Sequence, residues 1–70
     1  MKMQKVESSM VKAVGYDSEE GSLHVKFNND SIYKYLEVPE ALFHSLLGAE
    51  SKGKYINKNV KNLFKFEKVE

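Results

Sequence analysis

The chain has no cysteine, no tryptophan and no arginine, and a single proline among its 70 residues. Without cysteine, disulfides and thiolate metal ligands are excluded. Small secreted domains commonly offset a thin core with disulfides, and this chain cannot. The opening Met-Lys-Met-Gln-Lys leads into no apolar run of the kind a signal peptide needs, and no stretch approaches the length of a bilayer span. A cytoplasmic protein with no membrane partner is therefore expected. Seventy residues suffice for one domain with a modest core, in which each apolar side chain counts. All eleven basic residues are lysine. Lysine is a compact point charge without the planar fork with which arginine grips guanine edges and phosphates. A nucleic-acid partner would thus be held by its backbone or shape rather than by its sequence.

The net charge of +1 conceals a segregation. Residues 1–16 sum to +2, residues 17–50 to −5 and residues 51–70 to +4. Such asymmetry marks either an anion-facing end or a basic tail that packs beside an acidic middle and is neutralised there.

Along the chain, residues 1–8 lack apolar periodicity and read as a flexible lead-in to a single domain over 9–70. Residues 9–17 read as a strand with Val11, Val14 and Tyr16 as apolar positions and Gly15 as a bulge or kink. Residues 17–21 carry turn chemistry and end on glycine. In residues 22–28, Leu23, Val25 and Phe27 alternate with His24, Lys26 and Asn28, the period of a half-buried strand. A second turn over 28–31 precedes a third strand over 32–38, rich in aromatic and branched residues. Pro39 suits the first position of a helix over 39–48, with Glu40 in its first turn, Leu42, Phe43, Leu46 and Leu47 at helical spacing, and Gly48 as its stop. Ser51 reads as the N-cap of a second, shorter helix, with Tyr55, Ile56 and Val60 on one face and Lys54, Lys58 and Lys61 on another. Residues 63–69 alternate again and can return as a short strand. The expected fold is α+β in the order β-β-β-α-α-β: a three-stranded antiparallel meander covered by the 39–48 helix, with Leu23, Val25, Phe27, Leu42, Phe43 and Leu46 in one core.

Ingredients for catalysis are few. His24 and His44 fall on different elements, with no H-x-x-x-H pair to seed a metal site. No serine lies in a nucleophile-elbow pattern, and no glycine-rich loop opens a helix as a phosphate cradle does. No catalytic residue, cofactor, metal or small-molecule substrate is expected.

Two features point instead to binding. Tyr33 and Tyr35, two apart on a strand, face one side of the sheet. They are either a stacking platform for bases or core rings with their hydroxyls at the rim. In the second helix, Lys52, Lys54, Lys58 and Lys61, with Tyr55 beside them, make either a positive surface extending from an anion-binding helix N-terminus or an ordinary solvated face.

Several of these segments carry a resemblance. Ser8-Ser9 before the first strand, Val14-Gly15-Tyr16-Asp17, the central Tyr33-x-Tyr35 followed by Val38-Pro39, and Gly53-Lys54-Tyr55-x-Asn57-x-x-Val60 together resemble the KTSC family, from about Val6 to Phe66. This family is a short domain found at the C-terminus of some lysyl-tRNA synthetases and as a free-standing bacterial or phage protein. The resemblance implies a binding module with RNA as its partner, and it makes the tyrosine pair the family's best-known signature. Phe64 and Phe66 depart from it, standing where relatives often show tyrosine and arginine. The competing expectation is a protein-interaction module, such as a phage or mobile-element accessory protein, docking on a host protein through a sheet edge or the aromatic patch. An unbroken patch of Lys52, Lys54, Lys58 and Lys61 favours RNA; acidic residues interrupting it favour a protein.

Overall fold

A computed structural model describes residues 3–6 and 8–69. Among them, five strands form one antiparallel sheet in sequence order: β1 (Gln4–Lys5), β2 (Val11–Asp17), β3 (Ser22–Phe27), β4 (Ile32–Tyr35) and β5 (Phe66–Lys68). Two helices, α1 (Glu40–Leu47) and α2 (Lys52–Asn59), lie between β4 and β5 in the chain.

Register assigns each side chain to a face. Val14 pairs with Val25 and Val25 with Tyr33, while Leu23 pairs with both Tyr16 and Tyr35. Directly opposed residues share a face, so these side chains form the inner surface that the helices cover. Gly15, His24, Lys34 and Glu67 oppose one another across the other face. Val11 and Val14 are three apart, yet both are sealed in the core. The register shift between Val11 and Ala13 explains this: Lys12 is an extra, bulged residue that returns the alternation to the inner side. The bulge therefore lies at Lys12 and not at Gly15, which pairs regularly with His24.

α1 starts after Pro39, whose ψ of 141° is still extended, so proline caps the helix instead of occupying its first turn. Phe43 stacks on Tyr16 with ring centroids 5.6 Å apart, and Leu46 is fully buried. α2 is capped by Ser51, whose Oγ accepts the Lys54 N–H at 3.3 Å. Its Ile56, followed by Val60 just past its end, enters the core.

Several expectations are corrected. The sheet has five strands, not a meander of three. Gln4 and Lys5 pair with Val14 and Ala13 inside the span expected to be a flexible lead-in, of which residues 1, 2 and 7 lie outside the described residues. The third strand ends at Tyr35, because Glu37 adopts a φ of 56°, which no strand can continue. Residues 63–69 form a strand only over Phe66–Lys68. The cover is shared by two helices, and Phe27 and Leu42 are half-buried at its margin instead of central.

That margin has a measurable consequence. Leu46→Ala empties a sealed site and is expected to cost about 2–5 kcal/mol. Phe27→Ala removes a ring that already meets solvent and is expected to cost distinctly less. Urea unfolding of both variants checks the order; equal losses would place Phe27 in the sealed core.

Candidate nucleic-acid interface

The lysines of the C-terminal third are not equivalent. Lys52 is half-buried, and its Nζ donates to the Ala49 carbonyl at 2.7 Å, tying down the turn before α2. Lys54, Lys58 and Lys61 are exposed. Their i, i+4, i+7 spacing places them along one side of α2 and the turn that follows it, where the Lys61 N–H still bonds the Ile56 carbonyl at 2.8 Å. Ion pairs among the described residues join Lys12 to Asp30, Lys34 to Glu20 and His44 to Glu40. None of them uses residues 51–69, so Lys54, Lys58 and Lys61 form no direct ion pair with a described carboxylate. Tyr55 is half-buried against the core and adds no free ring to the column.

The N-terminus of α2 is a poor anion site. Ser51 already occupies one of its N–H groups, and Gly53 is buried beneath Met10. A Cβ built on Gly53 would stand 3.1 Å from Met10 Sδ and 3.2 Å from Met10 Cβ. The glycine is there for close packing of the helix on the segment that leads into β2.

The tyrosine pair does face one side, the inner one. Tyr35 is only 2% exposed, whereas Tyr33 is half-buried. Phe66 leans on both, 5.3 Å from Tyr33 and 5.9 Å from Tyr35, and Phe27 meets Tyr33 edge to face at 5.5 Å. The rings thus build an aromatic end to the core, and Tyr35 offers no open face for stacking. Burial, with a smaller contribution from Tyr33, raises the Tyr35 pKa, so its hydroxyl stays a neutral donor.

Between this aromatic end and α2 lies an open cleft of about 360 Å³. Tyr33 and Tyr35 line it from the sheet and Asn57 and Lys61 from the helix side, so the two features singled out in the sequence meet at one place. Phe27 joins the tyrosines from the sheet, and Met10 with the turn residues Asn28, Asn29 and Ser31 completes it. Sequence periodicity gave no sign of these four, because turn residues acquire a role only when the hairpin places them.

On the opposite face, His24 is half-exposed, with Nε2 3.0 Å from Ser22 Oγ. Burial and then the Lys34 ammonium lower its pKa, offset in part by Glu20 and Asp17. His44 lies on the exposed side of α1. Among the described residues, no group of three or more histidines and carboxylates is placed to hold a metal, and no helix is long and apolar enough to cross a membrane.

The KTSC domain profile matches residues 7–64. A protein from Tsukamurella paurometabola is 46% identical over 63 residues, covering 90% of this chain and 94% of that protein. A lysine–tRNA ligase from Nostoc punctiforme is 37% identical over 65 residues, and the chain corresponds to only 12% of the ligase. The crystal structure of a KTSC domain protein from Yersinia pestis superposes with a TM-score of 0.95 at 32% identity, covering 99% of this chain and 97% of that one.

Two outcomes are expected from the packing and the titration. Gly53→Ala in a helix ordinarily gains roughly 0.5–1 kcal/mol. Here the gain is expected only when Met10→Gly has cleared the space, since alanine would keep the Cβ that stands 3.2 Å away, and thermal melts of the two single variants and the double variant would show it; a gain in the Gly53→Ala single variant would deny the close packing. For His24, folding favours the neutral ring. Its contribution is complete above the ordinary pKa of 6.5 and is lost as pH falls towards the lower folded value. The urea midpoint is therefore expected to drop between about pH 7.5 and pH 5.5 by less in His24→Gln than in the parent. Parallel curves would refute the assignment.

Proposed function

We propose that this chain, which belongs to the KTSC domain family, is a non-catalytic cytoplasmic module that binds single-stranded RNA along α2. The observation that carries this reading is the column of Lys54, Lys58 and Lys61, free of carboxylate partners among the described residues and ending at the aromatic cleft. Three lysines at helical spacing follow a phosphate backbone and read no bases, which suits a chain without arginine. The ligases that contain a similar stretch are named for an RNA, and this agrees with the reading.

A protein partner is the second reading, and one observation favours it. Leu63, Phe66 and Val69 are exposed along and beside β5, one of the two edge strands of the sheet. An added strand could pair there.

Labelled single-stranded and duplex RNA, titrated at several salt concentrations, separates the two. Three phosphate contacts to a single strand give a slope of log K against log salt of about −2. Lys54→Gln with Lys58→Gln is expected to flatten that slope to about −0.7 while leaving the circular dichroism spectrum unchanged. Absence of binding even at low salt would reject the RNA reading in favour of the β5 edge.

A further inference from the structure

We propose that the cleft between the aromatic end of the sheet and the end of α2 is a subsite for one unstacked nucleotide. Its phosphate sits on Lys61 and the Tyr35 hydroxyl, and its base lies against Met10 and Phe27. The proposal deepens the RNA reading and rests on it for the source of the nucleotide.

Tyr35 is the starting point. Its ring is almost wholly buried, and phenylalanine would fill the same space without a polar atom to satisfy. Tyr16, the comparable tyrosine on β2, uses its hydroxyl to bond the Val38 carbonyl at 2.6 Å. The Tyr35 hydroxyl has no such bond among the described residues, yet no buried side-chain oxygen or nitrogen there is both sealed and unpaired. Tyr35 lines the cleft, and we read its hydroxyl as the atom that opens into it. It is held there by a core ring, a donor fixed in position before any ligand arrives.

The rest of the lining suits the same ligand. No carboxylate lines the cleft among the described residues, and Lys61 supplies its one cation. A donor set of phenol and ammonium without a competing acid selects an anion. Met10 and Phe27 add apolar surface for a flat ring. The turn offers both senses of hydrogen bond. Asn29 Oδ1 accepts the Ser31 N–H, which leaves its amide nitrogen to donate. Asn28 Nδ2 donates to the Ser9 carbonyl at 2.7 Å, which leaves its Oδ1 to accept. A bare phosphate would use neither the apolar surface nor these amides; a nucleotide uses both. The cleft volume of about 360 Å³ lies in the range of small-ligand sites, roughly 300–1,000 Å³. A base inserted here must be unstacked, which is how single-stranded RNA presents its edges.

The test follows backbone amide shifts of the full chain during titration with adenosine 5′-monophosphate, adenosine, inorganic phosphate and a single-stranded hexaribonucleotide. Shifts are expected around Ser31, Tyr35 and Lys61, with the monophosphate binding more tightly than adenosine or phosphate. Tyr35→Phe keeps the ring and removes the donor; Lys61→Gln removes the cation without touching the core. Each is expected to weaken the monophosphate about tenfold, while Lys26→Gln, on the outer face, changes nothing. If the monophosphate binds in this way and the hexaribonucleotide does not bind at all, the subsite stands for a free nucleotide and the RNA reading falls. If the hexaribonucleotide binds with its salt slope intact and Tyr35→Phe leaves it unaffected, the RNA reading stands and the subsite falls. Inorganic phosphate binding as tightly as the monophosphate would also overturn the subsite. No binding of any probe would overturn both.

Discussion

Val38 fixes the point at which the chain leaves the sheet, and the placement of both helices follows from it. Its N–H donates to the Gly21 carbonyl at 2.9 Å, its carbonyl accepts the Tyr16 hydroxyl at 2.6 Å, and its side chain is sealed. Glu37, just before it, takes the positive φ that turns the backbone out of β4. α1 must then begin over the Gly21 end of the β2–β3 hairpin, where Phe43 finds the Tyr16 ring. The far end of the inner face, where Val11 opposes Phe27, is left to α2. That helix is anchored by Gly53 beneath Met10 and by Ile56, and eight residues do not extend over the whole remaining surface. Phe27, Tyr33 and Phe66 are left along an uncovered margin, and the cleft is the space beside them.

Much of this was legible in the sequence because the signals are local. The alternation of Leu23, Val25 and Phe27 marks β3, Ser51 and the following spacing mark α2, and Gly48 closes α1. What escaped is what local signals do not carry. β1 has two exposed residues and owes its existence to backbone pairing with Val14 and Ala13, so apolar periodicity is silent there. Sequence alone points to Gly15 for the bulge, but Lys12 bears it, since a bulged residue needs no missing side chain when its own can extend into solvent towards Asp30. Phe27 looked central by alternation, yet alternation gives only the face, and distance from the covering helices decides burial.

The site divides in the same way. The spacing of Lys54, Lys58 and Lys61 was readable, since side chains on a helix share a side by count alone. That Lys52 instead serves the Ala49 carbonyl depends on how the turn between the helices closes. The tyrosine pair was readable as a pair; which side it faced required the register. The contribution of the two turn asparagines and of Met10 arises from elements distant in the chain and has no periodic signature.

In the proposed reading, charge and cleft would do different jobs, and the physical difference lies in how firmly each is held. Lys54 and Lys58 are long, exposed side chains with no ion-pair partner among the described residues, so in that reading they would supply a field and a rate of encounter more than a fixed geometry. Such a field does not distinguish one single strand from another. Tyr35 is the opposite case: its ring is part of the core, so the direction of its hydroxyl is set by the same packing that stabilises the fold. In the proposed reading, selectivity between ligands of equal charge would arise at the cleft, and most of the salt dependence at the column. Lys61 belongs to both, since it ends the column and lines the cleft. In the proposed reading it is the residue that would convert attraction at a distance into a defined contact.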